Sequence, residues 1–209
     1  MGKTSLSRSL SLGLPGSTTV SEELENPYLP LFYKHLKEHP GAYNPYAFPL
    51  QVYFFEHRLA KEKVAAEGRE TAPVISDRCL LEYFEVFVRN LFDCGLVSPS
   101  EFAALEEKYA EALCPSVAPK LVVFLDASLE ETRSRIEKRN REGETSGISM
   151  EYLAQLAKKY SRFKTLVAKQ APQMTLLEVQ TDNRTVDEVS KEVLEVIKSK
   201  LKDDRQVCE

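Results

Sequence analysis

The sequence predicts an α/β protein in which a parallel β-sheet is covered by helices on both faces. Short apolar runs rich in β-branched residues alternate with longer segments of helical spacing, which is the pattern of successive strand–helix–strand units. One run, residues 120–125, is apolar without alternation, as expected for a strand buried on both faces of a parallel sheet. With 209 residues and no long linker, the chain is predicted to form a single domain over residues 1–209.

The predicted strands and helices follow one another along the chain. The strands are 17–21, 73–76, 120–125 and 174–180. The helices are 45–67, 80–91, 98–113, 129–141, 149–169 and 185–201. Ser98 is predicted as the N-cap of its helix, because Pro99 and Glu101 follow it. Residues 143–147 are polar and contain glycine, which favours a loop.

Charge and cysteine content exclude several classes of function. The formal net charge is −4, so we expect neither a nucleic-acid partner nor an anionic membrane partner. No run reaches the roughly 18 apolar residues of a membrane-spanning helix. The four cysteines are scattered and form no CxxC pair, which favours reduced thiols and a cytoplasmic location.

The first residues resemble the second half of a phosphate-binding loop. Gly2, Lys3, Thr4 and Ser5 lead into a helical pattern, as at the end of a Walker A motif. In such a loop the backbone N–H groups cradle phosphates, the lysine reaches the β- and γ-phosphates, and the Ser/Thr hydroxyl binds Mg²⁺. We therefore expect these four residues to bind ATP and Thr4 to contact Mg²⁺.

The first glycine of the motif and the strand before it are absent from the sequence. In a P-loop fold that strand is central and has neighbours on both sides. Its loss removes buried apolar side chains and two hydrogen-bonded ladders, a cost comparable to the roughly 5–15 kcal/mol by which a domain is stable. We therefore expect the first central strand to be missing and this chain to fold poorly, with little activity.

Four sequence blocks, in order, carry a resemblance to one enzyme family. They are Glu22-Glu23-Leu24-Glu25-Asn26-Pro27-Tyr28-Leu29 with Phe32-Tyr33; Tyr46-Ala47-Phe48-Pro49-Leu50-Gln51 with Tyr53-Phe54-Phe55 and Arg58; Ile75-Ser76-Asp77-Arg78-Cys79; and Arg135-Ile136-Glu137-Lys138-Arg139-Asn140-Arg141 with Glu144 and Glu151-Tyr152-Leu153. Over residues 22–153 the chain resembles the deoxynucleoside kinases, which act on deoxycytidine, deoxyguanosine or deoxyadenosine. The resemblance implies a three-layer P-loop kinase fold, ATP and Mg²⁺ as cofactors, a deoxynucleoside substrate and a homodimer.

The resemblance also implies which residues catalyse the transfer. A 5′-hydroxyl is a poor nucleophile, so a carboxylate beside it can accept its proton during attack on the γ-phosphate. Glu22 matches this base, and Glu23 is the alternative because the register is open by one residue. Arg78, which follows a predicted strand, would hold the carboxylate and the 5′-oxygen. The carboxyl ends of parallel strands are where such sheets bind ligands.

Further residues are assigned to the nucleoside. Gln51 and Arg58 are seven residues apart and therefore share one helix face, and an amide offers a base edge both a donor and an acceptor. By resemblance, Tyr33 and Glu144 would contact the sugar 3′-hydroxyl. Asp77 is expected at the nucleoside as well.

Arginines near residue 140 are predicted to bind the ATP phosphates. Arg135, Arg139 and Arg141 lie on or just after one predicted helix, within a lid at about 133–147. Guanidinium groups match phosphate oxygens and offset charge in the transition state. Asp182, in the segment Asp182-Asn183-Arg184 after the last strand, resembles part of an adenine-contacting loop.

One position departs from the family pattern and leaves the base preference open. Kinases of deoxycytidine or purine deoxynucleosides usually carry an Asp five residues after the motif arginine. Here that position is Tyr83, which would fill space beside the base, and the carboxylate of Glu82 lies one residue earlier. The shift directs that carboxylate to another side of the helix.

Two other functions stay open from the sequence. A nucleoside monophosphate kinase of the thymidylate-kinase type shares the fold, but it needs basic groups for an acceptor phosphate, whereas the carboxylate before Asn26-Pro27 suits a neutral hydroxyl. A catalytically silent structural subunit would explain the incomplete phosphate loop. The retention of Lys3, Arg78 and the lid arginines argues against it.

Overall fold

A computed structural model describes residues 2–21, 25–68, 72–112, 119–140, 148–170 and 174–206. Strands β1 (Thr18–Val20) and β2 (Val74–Ser76) pair in parallel, with Thr18 opposite Val74 and Val20 opposite Ser76. Strands β3 (Leu121–Asp126) and β4 (Thr175–Gln180) form a second parallel pair. Three of the strands lie within the predicted ranges, β3 extends one residue beyond its predicted end at residue 125, and the parallel pairing is confirmed.

The helices surround these strands. In chain order they are α1 (Lys3–Gly13), α2 (Leu29–Glu38), α3 (Ala47–Gly68), α4 (Leu80–Glu82), α5 (Arg89–Asp93), α6 (Pro99–Ala112), α7 (Leu129–Arg139), α8 (Met150–Gln170) and α9 (Val186–Gln206). Helix α2 was not among the predicted elements. Its second residue is Pro30, which is tolerated in a first turn because the missing N–H has no partner there.

A π-helical segment, Tyr83–Val88, joins α4 to α5. The sequence predicts an ordinary helix over 80–91, because a π turn leaves no periodic signal that differs from an α-helix over six residues. π turns are rare and occur frequently at functional sites. Here the π-helical segment begins directly after Glu82, five residues beyond Arg78.

Helix ends are set by local capping. The Ser98 hydroxyl accepts from the Glu101 N–H (3.3 Å) while the Glu101 carboxylate accepts from the Ser98 N–H (2.8 Å), so the predicted N-cap of α6 is confirmed as a capping box. Ser128 caps α7 by accepting from the Glu131 N–H. Helix α7 ends at Asn140, which adopts the left-handed conformation with φ 46°.

The two strand pairs do not join into one sheet in the described part of the chain. Between them lies a cavity of about 1940 Å³, whose walls include Ile75 of β2 and Val123 of β3. Every residue of β3 is only half-buried although five of its six side chains are apolar. That a first central strand is missing stays a prediction. The expectation of poor folding stays a prediction.

Helix α1 is held in place by the carboxyl-terminal part of the chain. Leu6 and Leu10 form one buried cluster with Val179 of β4 and with Val189 and Val193 of α9. The helices approach so closely that a Cβ added at Gly13 would lie 2.5 Å from Leu194 Cδ1. This packing fixes the start of α1 at the cavity. None of the helices in the described ranges is long and apolar enough to cross a membrane.

Candidate active site

The phosphate-loop residues line the cavity at the start of α1. Gly2 adopts φ 112°, a left-handed conformation that residues with a Cβ rarely reach, and Lys3, Thr4 and Ser5 form the first turn. The described first turn of α1 contains no acidic side chain. The backbone N–H groups and the helix dipole therefore favour an anion at this end. The geometry suits the phosphate role predicted from the sequence.

Thr4 contacts the carboxylate that follows β2. Its hydroxyl Oγ1 donates to Asp77 Oδ2 at 2.8 Å. Asp77 is 3% exposed, and its second oxygen, Oδ1, is buried without a hydrogen-bond partner within the described residues. A buried carboxylate oxygen without a donor is costly unless a ligand completes it. A hydroxyl and a carboxylate facing each other are also the oxygen donors that Mg²⁺ prefers.

The backbone of Arg78 is strained. Its φ is 77°, a left-handed value that is unfavourable for a residue with a long side chain. Arg58 Nη1 donates to the carbonyl oxygens of Asp77 (2.8 Å) and Arg78 (2.9 Å), and Ser76 Oγ donates to the Arg78 carbonyl at 2.8 Å. Three hydrogen bonds thus hold the strained turn. Arg58 lines the cavity, as predicted, but at least part of its guanidinium serves the backbone.

The side chain of Arg78 is enclosed by three neighbours. Its Nη1 lies 2.7 Å from Glu82 Oε1, and the Tyr160 hydroxyl donates to the same oxygen at 2.6 Å. Arg78 Nη1 also donates to the Tyr160 hydroxyl at 3.3 Å. The Arg78 guanidinium carbon lies 4.7 Å from the centre of the Phe87 ring, a cation–π arrangement. The guanidinium is therefore positioned without any ligand.

Burial and charge act in opposite directions on Glu82. Burial disfavours the carboxylate, but the positive charges of Arg78, Lys3 and Arg58 and the Tyr160 hydrogen bond outweigh it, so the pKa of Glu82 lies below its ordinary value. Glu82 is consequently a carboxylate at neutral pH. Burial raises the pKa of the neighbouring Cys79 to about 12, so its thiol is neutral and does not act as a nucleophile.

Gln51 of α3 and Tyr83 of the π-helical segment line one wall of the cavity. Gln51 is 5% exposed, and its side-chain Oε1 is buried without a hydrogen-bond partner among the described residues. The Tyr83 hydroxyl donates to the backbone carbonyl of Gln51. Burial raises the pKa of Tyr83 well above its usual value, so this hydroxyl stays protonated. Gln51 thus lines the cavity and carries an acceptor without a hydrogen-bond partner in the described part of the chain.

The arginines of α7 differ in how they are held. Arg135 donates to Thr181 Oγ1 and to the Thr181 carbonyl, each at 2.8 Å, and pairs with Glu131 at 2.7 Å. These contacts tie α7 to the end of β4. Arg139 lies at the last turn of α7 in the cavity wall. Asp182 accepts from the Ser128 N–H with both carboxylate oxygens at 3.1 Å, which braces the start of α7.

The fold brings most of the predicted site together. All predicted site residues in the described ranges except Asp182 line the one large cavity: Gly2, Lys3, Thr4, Ser5, Tyr33, Gln51, Arg58, Asp77, Arg78, Tyr83, Arg135 and Arg139. Glu22, Glu23, Arg141 and Glu144 lie outside the described residues. Their roles, and those assigned to individual cavity residues, stay predictions.

Two residues of the site were missed as partners of Arg78. The sequence singles out Glu82 only for its displacement from the family position, and the helical ion-pair spacing does not apply to Arg78, because α4 begins at Leu80. Tyr160 belongs to no motif, and it is 82 residues away from Arg78. Only the tertiary packing of α8 against the π-helical segment reveals it.

Comparison with known proteins agrees with this geometry. The family model described as Deoxynucleoside kinase matches residues 1–202. The chain belongs to the deoxynucleoside kinase family. It is an ATP-dependent kinase that phosphorylates deoxynucleosides, so the expected reaction class and the use of ATP are confirmed.

Individual relatives of the kinase cover nearly the whole chain. A deoxyadenosine kinase of Lactobacillus acidophilus is 30% identical over 97% of this chain and 92% of its own length. A deoxyguanosine kinase of Bacillus subtilis is 28% identical over 88% of this chain and 83% of its own length. The structure of deoxyadenosine kinase from M. mycoides with bound dCTP is similar with a TM-score of 0.72 and 26% identity, over 97% of this chain and 94% of that one. The P-loop α/β fold predicted from the sequence is thereby confirmed.

Proposed function

We propose that this kinase transfers the γ-phosphoryl group of ATP to the 5′-hydroxyl of a purine deoxynucleoside, with Mg²⁺. The observation that carries the proposal is the convergence of Lys3, Thr4, Asp77, Arg78 and Gln51 on one cavity. Relatives named as deoxyadenosine and deoxyguanosine kinases support a purine as the base. The acceptor of Gln51 that lacks a partner suits an exocyclic amino group or a ring N–H.

Thr4 and Asp77 are the proposed holders of Mg²⁺. The described residues contain no group of three or more His, Cys, Asp or Glu side chains that could hold a metal by themselves. That suits Mg²⁺, which in kinases is bound through one or two protein groups together with the substrate phosphates. Held by Thr4 and Asp77, Mg²⁺ would offset the negative charge of the substrate phosphates. The buried Asp77 Oδ1 fits this site because it lacks another partner.

The remaining residues act on the two substrates. Lys3 and the N–H groups at the start of α1 hold the phosphates, and Arg139 and Arg141 reach them from a lid at about 133–147. Glu22, or Glu23 in the alternative register, accepts the proton of the 5′-hydroxyl. Arg78 orients that carboxylate and the 5′-oxygen. Tyr33 and Glu144 hold the sugar, and Gln51, Arg58 and Tyr83 surround the base.

The cellular setting is proposed from composition and family. The kinase acts as a single-domain protein that forms a homodimer in the cytoplasm, and it has neither a nucleic-acid nor a membrane partner. The net charge of −4 supports the absence of a polyanionic partner. Scattered cysteines support a reducing compartment.

Product analysis tests the proposal. The chain is incubated with Mg²⁺ and ATP labelled at the γ-phosphate, together with each of the four deoxynucleosides or each of their 5′-monophosphates. We expect label in deoxyadenosine or deoxyguanosine 5′-monophosphate, with the 5′ position established by phosphorus NMR. Labelled diphosphates from the monophosphate series would instead identify a nucleoside monophosphate kinase, and label on the 3′-oxygen would overturn the assignment of the acceptor.

The choice between the two glutamates is settled by paired variants. Glu22→Gln and Glu23→Gln are compared in the same assay. Loss of the proton acceptor should lower kcat by about 10²–10⁴-fold in one variant and little in the other. Equal activity of both variants and the wild type would contradict the proposed base.

A further inference from the structure

Glu82 is a buried carboxylate that the proposed reaction does not use. It is 8% exposed. The carboxylate is directed toward Arg78, whose Nη1 lies 2.7 Å from Glu82 Oε1. Burying a charged group costs desolvation energy, and leaving it unpaired costs still more. The pairing of the Glu82 carboxylate with Arg78 therefore has a structural or functional reason.

We propose that Glu82 and Tyr160 are positioning residues that hold the guanidinium of Arg78 for phosphoryl transfer. The inference deepens the proposed function and rests on the role of Arg78 in it. Three short contacts form a closed triangle: Arg78 Nη1 to Glu82 Oε1 at 2.7 Å, Tyr160 Oη to Glu82 Oε1 at 2.6 Å, and Arg78 Nη1 to Tyr160 Oη at 3.3 Å. A guanidinium with two anchors on one nitrogen cannot turn freely about its last bonds.

Aromatic rings pack against the Arg78 guanidinium and the Tyr160 ring. The face of Phe87 lies under the Arg78 guanidinium, 4.7 Å from its carbon. The Tyr160 ring contacts Phe87 and Phe124, with ring centres 6.3 Å and 5.4 Å apart. Tyr160 comes from α8, Glu82 from α4 and Phe124 from β3, so three separate elements determine the rotamer of one arginine. Such convergence is how preorganised sites are built.

The strained backbone of Arg78 also indicates that this residue is held in position. Arg58 and Ser76 hold φ at 77°, and the Glu82–Tyr160 pair holds the other end of the residue. Strain of this kind persists only where the surroundings over-determine it, and it concentrates at active sites. Both ends of Arg78 are therefore fixed before substrates bind.

The test uses conservative variants of the two positioning residues. Glu82→Gln keeps the size of the side chain and removes its charge, and Tyr160→Phe keeps the ring and removes the donor. A catalytic group displaced by about 1 Å can lose on the order of 10²-fold in rate. We expect kcat to fall by about 10–100-fold in each variant, with KM for ATP and for the nucleoside changing much less.

Matched controls separate positioning from general stability. Arg89 and Glu85 form a second i,i+4 pair at 2.8 Å, with Glu85 also 8% exposed, so Glu85→Gln removes a comparable buried carboxylate. The Tyr109 hydroxyl is buried and has no partner in the described residues, so Tyr109→Phe removes a hydroxyl that anchors nothing there. Both controls should keep the wild-type kcat. Melting temperatures of all variants are measured. If Glu82→Gln does not fold, Tyr160→Phe tests the positioning role by itself.

A double-variant cycle with Arg78→Ala completes the test. If Glu82 acts through Arg78, adding Glu82→Gln to Arg78→Ala should lower kcat little beyond Arg78→Ala alone. Full activity of Arg78→Ala would overturn the proposed role of Arg78 itself. A large loss in Arg78→Ala, combined with wild-type kcat in folded Glu82→Gln or Tyr160→Phe, would overturn only the positioning role. So would equal losses in the Glu85→Gln control.

Discussion

The wall of the cavity that faces the acceptor differs from the wall formed by α7. In the acceptor wall, Gln51, Arg58, Asp77 and Glu82 are each at most 8% exposed as whole residues. On the same side-chain scale, Arg78 and Glu82 of the acceptor wall are 18% and 11% exposed, whereas Arg135 and its partner Glu131 on α7 are 14% and 33% exposed, so the two walls differ in the acid partner. Dehydrated polar groups must be paired to be tolerated, whereas exposed ones can exchange partners with water. The buried acids of the acceptor wall therefore depend on their protein partners, whereas water can take part in the pairing of Glu131 on α7.

This difference implies different consequences of substitution. In the acceptor wall, a polar group that loses its partner remains buried and unsatisfied, so stability and catalysis change together. On α7, water replaces a lost partner, so an effect on phosphate binding can appear with little change in stability. Three predictions test the acceptor-wall side of this comparison, beginning with the largest expected effect.

Asp77→Asn should weaken the metal site most. The amide keeps the shape of the side chain but loses the charge that pairs with Mg²⁺, so we expect kcat/KM at low Mg²⁺ to fall by about 10–100-fold and to recover partly at high Mg²⁺. A Mg²⁺ titration of the rate measures this. Asp93→Asn is the control, because Asp93 pairs with Lys159 away from the cavity. An unchanged Mg²⁺ dependence would remove Asp77 from the metal site.

Gln51→Leu should separate binding from stability. The buried Oε1 of Gln51 lacks a partner in the described residues, so replacing the amide by an apolar group of similar size should leave the melting temperature unchanged or raise it. Loss of hydrogen bonds to the base should raise KM for the nucleoside by about tenfold, the equivalent of roughly 1.4 kcal/mol. KM for ATP is the internal control. An equal rise in both KM values would contradict a contact with the base.

Glu82 should contribute a smaller, pH-dependent part of the stability. Its pKa is lowered in the folded state because, although burial opposes the charge, Arg78, Lys3, Arg58 and Tyr160 favour it. The contribution is therefore complete above the unfolded value near 4.5 and is lost as the pH falls through the lower folded value. Melting temperatures between pH 6 and pH 3 should decline less steeply in Glu82→Gln than in the wild type. Parallel curves would show that this carboxylate does not stabilise the fold.

The local structure was largely predictable from the sequence, and the partners of the site residues were not. Ser98 and Glu101 were recognised as a helix start because capping involves residues three positions apart. The π turn at Tyr83–Val88 was missed because it depends on packing rather than on composition. The contacts of Arg58 with two carbonyl groups were also missed, since a helical arginine gives no sign of which backbone lies opposite it.

The sequence by itself determined the strand and helix order, the phosphate-loop residues at the start of α1 and the placement of Asp77 and Arg78 after a strand. These properties follow from periodicity, capping and spacing between residues close in the chain. Only the tertiary structure decided that Arg78 adopts a strained backbone and that Tyr160 and Glu82 enclose its guanidinium. Those features require groups from α3, α4 and α8 to be desolvated together, and desolvation is a property of the packed chain.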